Sequence, residues 1–249
     1  ASGDFNLPNV VIDSPGTVTF ASDDADNPRT FTVTGGFVHV AGTVDIGDNN
    51  LEFQGNYTYE GGSYMAGNGH VIWNSSAGSF STGGKTVSFP NLTVSQGLTA
   101  GDDDSIEIQN TLVANAAISV DGDNDDVGKV KILDGASVTY GVNNPLGTDA
   151  DDVELGNDLH VTYTATAATN VELPASVATL TAKGTGVTLT VNKNVTVNQK
   201  VTADGATITV NDGGSSVVSL TVASGGTIEV TNNGSFNVPG NDEIRVTDY

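Results

Sequence analysis

The sequence predicts an all-β protein of the parallel β-helix, or β-solenoid, class, and three observations predict it. Apolar and hydroxyl residues alternate with period two in Val187-Thr-Leu-Thr-Val191, Val195-Thr-Val197, Ala206-Thr-Ile-Thr-Val210, Val218-Ser-Leu-Thr-Val222 and Thr227-Ile-Glu-Val230, so each segment is a strand with one buried and one wet face. Such strands are short and number roughly two dozen, with spacings mostly near ten. Gly, Asn, Asp or Ser follows almost every one, and these residues tolerate the left-handed backbone angles of tight corners. Thr dominates the outer positions, where its β-branch suits a pleated surface and its hydroxyl suits water. No segment has the three-and-four apolar spacing that a helix needs to bury a face. The competing class is a pair of β-sandwich or jelly-roll domains, whose antiparallel sheets would also alternate. That class predicts two-residue hairpins at Asn68-Gly69 and Asp204-Gly205, and the shortness of the strands favours the solenoid over it.

In chain order the pattern begins at Val10-Val11-Ile12 and continues through Thr17-Val-Thr-Phe20, Thr30-Phe-Thr-Val33, Phe37-Val-His-Val40 and Thr43-Val-Asp-Ile46. Ser14-Pro-Gly16, Gly35-Gly36 and Gly47-Asp-Asn-Asn50 punctuate these strands. An aromatic stretch follows, holding Phe53, Tyr57, Tyr59, Tyr64 and Trp73. Beyond Val94 come Ile106-Glu-Ile108, Ile118-Ser-Val120, Val130-Lys-Ile132, Val138-Thr-Tyr140, Val153-Glu-Leu155 and Leu159-His-Val-Thr-Tyr163. The segment Phe5 to Val11, with Asn9 before Val10, loosely repeats Phe89 to Val94, with Asn91 before Leu92. This spacing would span several coils. Residues 1–249 are expected to form one elongated solenoid domain, and any subdivision falls near 141–152, where Asn143-Asn-Pro-Leu-Gly147 precedes an acidic run.

Residues Gly61 to Val94 read Gly-Gly-Ser-Tyr-Met-Ala-Gly-Asn-Gly-His-Val-Ile-Trp-Asn, then Gly78-Ser-Phe-Ser-Thr-Gly-Gly84 and Thr86-Val-Ser-Phe-Pro-Asn-Leu-Thr-Val94. This resembles the repetitive β-solenoid modules of bacterial surface and adhesin-like, filament-forming proteins, in which an aromatic-x-Ala-Gly-x-Gly-x-Val-x-aromatic-Asn strand pair precedes a Phe-x-Asn-Leu-x-Val strand. The resemblance implies a solenoid on a secreted or surface-attached protein and carries over no catalytic residue.

The chain has 8 Lys and Arg against 30 Asp and Glu, a formal net charge of −22. Nucleic acid and anionic membrane surfaces are therefore poor partners, since both are held by clustered cations. There is no Cys, hence no disulfide framework, and no apolar run approaches the roughly 20 residues that span a bilayer. Ala1-Ser2-Gly3-Asp4 looks like a mature start after signal removal. The Asp runs at 23–24, 102–104, 121–126 and 149–152 read first as solvated turns. Within them Asp121, Asp123, Asp125 and Asp126 are the candidate Ca²⁺ ligands, because calcium takes six to eight oxygens. The established calcium-loop spacings do not fit: an EF-hand would want Gly at Asp126 and Glu at Ile132.

Tyr57, Tyr59, Tyr64 and Trp73 are candidates for a sugar-stacking platform, against the alternative that they pack inside the solenoid. His39, His70 and His160 are too dispersed for a zinc site. Polysaccharide-degrading β-helix chemistry would need paired carboxylates on a concave face. The strand acids Asp45, Glu52, Glu107, Glu154, Glu172 and Glu229 stand singly in sequence, with few cations around them, so no enzyme is expected. Five Asn-x-Ser/Thr sequons, at Asn56, Asn74, Asn91, Asn194 and Asn233, are about as many as this composition yields by chance.

Taken together these features predict a secreted structural protein of a prokaryotic cell surface. It would join copies of itself through terminal strands, with Val10, Val11, Ile12, Ile244 and Val246 at the joint, into an extracellular filament or layer. The alternative is a stalk or a carbohydrate- or cell-binding segment of a larger adhesin.

Overall fold

Period-two alternation becomes strand, and the strands stack in parallel. The computed structural model describes residues 5–21, 27–121, 128–143, 145–146, 152–166, 173–211 and 216–247. It is all-β, a β-solenoid of about nine turns, with 25 strands and no helix among the described residues. The chain divides into two compact units: Ala1–Ile132 with Asp149–Glu154, and Leu133–Thr148 with Leu155–Tyr249. The division is not a single cut, since 149–154 returns to the first unit.

In the first unit, Phe5–Leu7, Thr30–Val33, Asn50–Phe53, Val71–Trp73, Thr86–Val94 and Ser105–Ala114 stack in parallel order on one side of the coil. Val10–Thr19, Phe37–Asp45, Tyr57–Tyr59 and Phe80–Ser81 stack on another. In the second unit the main stack is Ser137–Tyr140, His160–Tyr163, Ser176–Lys183 and Val195–Asp204. Thr227–Thr231 pairs with one end of Val195–Asp204 and Ser219–Val222 with the other; Glu243–Val246 follows on Ser219–Val222. A second sheet stacks Thr188–Val191, Thr207–Val210 and Ser235–Asn237.

Side chains bonded across neighbouring coils stand 19 to 28 residues apart in sequence, which sets the length of a turn. All pairings among the described residues are parallel, so the two hairpins that a sandwich would form do not occur. Asn68-Gly69 is a corner, where Asn68 N–H donates to Asp48 Oδ1 of the preceding coil (2.8 Å). Gly205, at φ +67°, turns the chain out of one sheet toward the next.

Several strands run straight through a corner. Thr86–Val94 and Val10–Thr19 shift register in mid-strand, which is why the reading by short segments divided the second of them. Gly42 marks such a corner: its φ is +89°, and a Cβ there would lie 1.9 Å from the Ser14 carbonyl oxygen. The weak Phe5–Val11 and Phe89–Val94 likeness has a structural counterpart, because Pro8-Asn9 and Pro90-Asn91 both occupy points where the chain changes direction or register.

Asn91 is buried there, and its Nδ2 donates to the Gly67 and Gly69 carbonyls (3.1 and 2.9 Å). This amide stitches two coils whose corner carbonyls have little access to water. Asn91→Ala is expected to lower unfolding free energy by about 1–3 kcal/mol, measured by urea denaturation; an unchanged midpoint would show that the corner does not depend on the amide.

The two cores differ in kind. The first unit fills its interior with rings: Tyr57 stacks on Phe80 (4.9 Å, 17°) and meets Phe53 (5.0 Å), while Phe37 lies 4.8 Å from Phe53. In the second unit the inward rows are mainly aliphatic, such as Leu180 over Val201 and Leu189 over Ile208.

Candidate functional site

A solenoid stack has two kinds of surface that can act: the end coils, where inward rows lose their cover, and the lateral sheet faces. At the C-terminal coil of the second unit, register places Ile228 over Val201, Val230 over Ala203, Phe236 over Ile208, Ile244 over Leu220 and Val246 over Val222. Each lower partner is fully buried, so all five upper residues occupy core-facing rows. Val230 and Val246 are nevertheless 52 % and 59 % exposed, because no further coil among the described residues covers them. Among these five positions there is no inward charge, a common device for blocking edge pairing.

The first coil of the first unit shows the same property more weakly. Phe5 stacks on Phe31 (4.9 Å, 9°) yet is 48 % exposed, and Val10 sits half-buried over Phe37.

The five expected joint residues thus separate. Val10, Ile244 and Val246 lie on open inward rows. Ile12 is already buried, and Val11 pairs with outward-facing Val38 and so points sideways. The sequence reading missed Phe5, Ile228, Val230 and Phe236.

The aromatic candidates do not form a surface platform. Tyr57 is 0 % and Trp73 2 % exposed, and Tyr59 and Tyr64 are buried with them. Tyr57 and Tyr64 share a hydroxyl–hydroxyl bond (3.1 Å), Tyr59 donates to the Gly62 carbonyl (2.7 Å), and Trp73 Nε1 donates to the Gly97 carbonyl (3.1 Å). Burial pushes the Tyr57, Tyr59 and Tyr64 phenols above their ordinary range.

Of the calcium candidates, Asp121 is exposed and its N–H donates to the Ala100 carbonyl (2.7 Å); Asp123, Asp125 and Asp126 lie outside the described residues. No cluster of three or more metal-capable side chains occurs among the described residues. One member of the acidic runs proves to be a built-in staple. Asp104 is buried and accepts from Thr82 Oγ1 (2.8 Å) and Gly84 N–H (3.0 Å). Burial acts to raise its pKa, but those bonds and the Gly101 N–H outweigh it and leave the carboxyl below its usual range. Glu52 behaves alike, its burial outweighed by donors on Asn74, Gln54 and Thr32.

On the lateral face of the second unit lies a cleft of about 420 Å³. Thr162, Thr181 and Thr202 succeed one another across three coils, paired residue over residue, and form its floor. Glu229 follows Thr202 at the end of that column and forms an ion pair with Lys200 on one side (2.5 Å), while Lys183 and Asp204 face each other at 3.9 Å on the other. Asp204 also accepts from Asn232 Nδ2 (2.6 Å) and Thr231 Oγ1 (3.0 Å); these bonds, with Lys183 beside them, hold its carboxyl below the usual range. Glu229, which stands alone in sequence, therefore shares a cleft with a second acid and two lysines.

The histidines carry a pH dependence. His39 is fully buried among Phe37, Tyr59 and Tyr64. Its Nε2 lies 3.2 Å from the Gly42 carbonyl oxygen, which can only accept, so Nε2 holds the proton and the buried Nδ1 has no partner. Desolvation lowers the pKa of His39 and, separately, of His70. A lowered folded-state pKa means that the unfolded chain takes up the proton first. Stability is therefore expected to be flat above about pH 6.5 and to fall as pH drops from there toward the folded-state pKa values. A second loss should follow below about pH 4.5, where the unfolded chain protonates Asp104 and Glu52 before the folded chain does. Melting temperature measured from pH 8 to about pH 2.5 checks both steps, and His39→Gln should shrink the first.

No protein-family model, curated protein or solved structure matches the chain.

Proposed function

We propose that this chain is a secreted structural protein of a prokaryotic cell surface that joins end to end through its terminal coils, building an extracellular filament or layer. The observation that carries the reading is the open, uncharged set of inward rows at the C-terminal coil, Ile228, Val230, Phe236, Ile244 and Val246. A complementary row at Phe5, Leu7 and Val10 on the first coil adds to it. Parallel stacking within each unit is itself the template: the next coil needed to cover Val230 is a first coil of the Phe5 kind. Such a joint uses two different surfaces and so propagates instead of closing on itself as a two-fold dimer. It combines apolar burial with strand addition across the coil edge.

The net charge of −22 opposes contact between copies, so assembly should strengthen with ionic strength. The resemblance of 61–94 to surface-protein modules supports the extracellular setting. A second reading, a stalk or carbohydrate- or cell-binding segment of a larger adhesin, is favoured by the lateral cleft; in it, further coils of a longer chain would cover the same rows. Sedimentation of the chain over a wide concentration range distinguishes the two. Growth into large species with concentration supports assembly, and a single 25.3 kDa species at every concentration and salt supports the segment.

A further inference from the structure

We propose that the lateral cleft of the second unit is a binding site for a linear neutral polysaccharide lying along the direction in which the coils stack. Three observations lead there. The floor is a column of threonines, Thr162, Thr181 and Thr202, brought into line by parallel pairing. Among the described residues their hydroxyls have no hydrogen-bond partner, unlike Thr179, which is bonded to His160 Nδ1 (3.2 Å). The column presents hydroxyl and methyl groups at the coil repeat of ~4.8 Å, close to the advance per ring of an extended pyranose chain, so successive sugars would meet equivalent groups.

The walls set the width. Lys200 and Asp204 stand on the same strand, four residues apart, which separates their Cα atoms by about 13 Å and leaves a trough one sugar ring wide between them. Their charges set the ligand class. Lys200 is neutralised by Glu229 and Lys183 by Asp204, and the chain as a whole is strongly acidic. A polyanion would be repelled and would have to displace both acids, whereas a neutral glycan can use ammonium groups as donors and carboxylates as acceptors. Asp204 is already fixed by Asn232 and Thr231, so this acceptor is ordered before any ligand arrives. The cleft holds no aromatic ring, and the affinity of one site is correspondingly modest. Copies joined end to end would multiply it, although the site itself does not depend on assembly.

The test titrates the full chain with three neutral hexasaccharides, cellohexaose, xylohexaose and maltohexaose, and with hexagalacturonate, following threonine methyl signals by nuclear magnetic resonance. At least one neutral hexasaccharide should move the Thr162 and Thr181 methyl signals in a saturable way, and hexagalacturonate should not. Thr162→Val with Thr181→Val keeps the shape of the floor and removes two of its three hydroxyls; it should weaken binding at least tenfold with the melting temperature held. Glu229→Gln, on the outer face, provides a second variant with the same expected direction should the valine pair fail to fold. Unmoved signals with all three neutral sugars, unchanged binding by the variants, or binding of hexagalacturonate alone that salt abolishes would each overturn the proposal.

Discussion

Tyr57→Ala is expected to destabilise the first unit by about 3–5 kcal/mol, the cost of emptying a large aromatic site in a core. Tyr57 is fully buried and touches rings from several coils: Phe37 at 6.0 Å, Phe53 at 5.0 Å, Phe80 at 4.9 Å and Phe89 at 6.1 Å. Removing it deprives four neighbours at once, and parallel coils held in register cannot collapse inward to fill the void. Tyr57→Phe keeps the ring and removes only the bond to the Tyr64 hydroxyl. It should cost about 1–3 kcal/mol, since a buried hydroxyl is left without its partner. Trp73 is the only tryptophan and belongs to the same cluster through Phe80 (5.8 Å), so its fluorescence during urea denaturation reports this unit directly. A Tyr57→Ala midpoint equal to that of the unaltered chain would mean that the ring stack is not what holds these coils.

The second large effect concerns assembly: Phe5→Lys and Val230→Lys, each made singly, are expected to leave a folded chain that no longer polymerises. Fully burying a Val, Ile or Phe side chain is worth about 1.5–3 kcal/mol. Phe5, Ile228, Val230 and Val246 are roughly half exposed, so covering them supplies several kcal/mol, enough to matter against the cost of association. A lysine in that row would bring an unpaired ammonium into the joint at a cost of several kcal/mol, weakening association by at least ~100-fold. In the isolated chain both positions are open to water, so folding should be little affected. Truncation is a poorer test. Removing Phe5–Leu7 and the strand after it would uncover Phe31, Val33 and Phe37 and create a new apolar end of the same kind.

Much of the fold was legible because a solenoid repeats its physics locally. Each strand declares its inner face by alternation, and each corner declares itself by Gly, Asn or Asp, as at Gly42 and Asn91. What lies beside what was not legible, because turns of 19 to 28 residues give no fixed period from which to count. The lateral cleft was hidden for this reason and one more. Its strands, Ser176–Lys183 and Val195–Asp204, place small Ala182 and Ala203 on their inner rows, so their apolar alternation is faint and the sequence reading passed over Thr179–Lys183 and Lys200–Asp204. At the N-terminal end, three consecutive apolar residues, Val10-Val11-Ile12, conceal which face is inward, and the register alone turns Val11 outward. The aromatic cluster was ambiguous in another way. Tyr57-Thr-Tyr59 alternates equally well whether the rings point in or out, and only the stacking of Phe37, Phe53 and Phe80 around them decides it. Asp104 shows the converse limit, an acid in a run that reads as solvent-facing but is drawn inside by Thr82 and Gly84.

The most direct test of the end-to-end joint is sedimentation of the two lysine variants, alone and mixed in equal amounts, under salt conditions in which the unaltered chain assembles. Phe5→Lys retains a sound C-terminal coil and Val230→Lys a sound first coil. A joint between unlike ends predicts that each variant alone remains at 25.3 kDa, while the mixture forms a one-to-one species of twice that mass and nothing larger. Dimerisation of either variant by itself, or a mixture that stays monomeric, would contradict it.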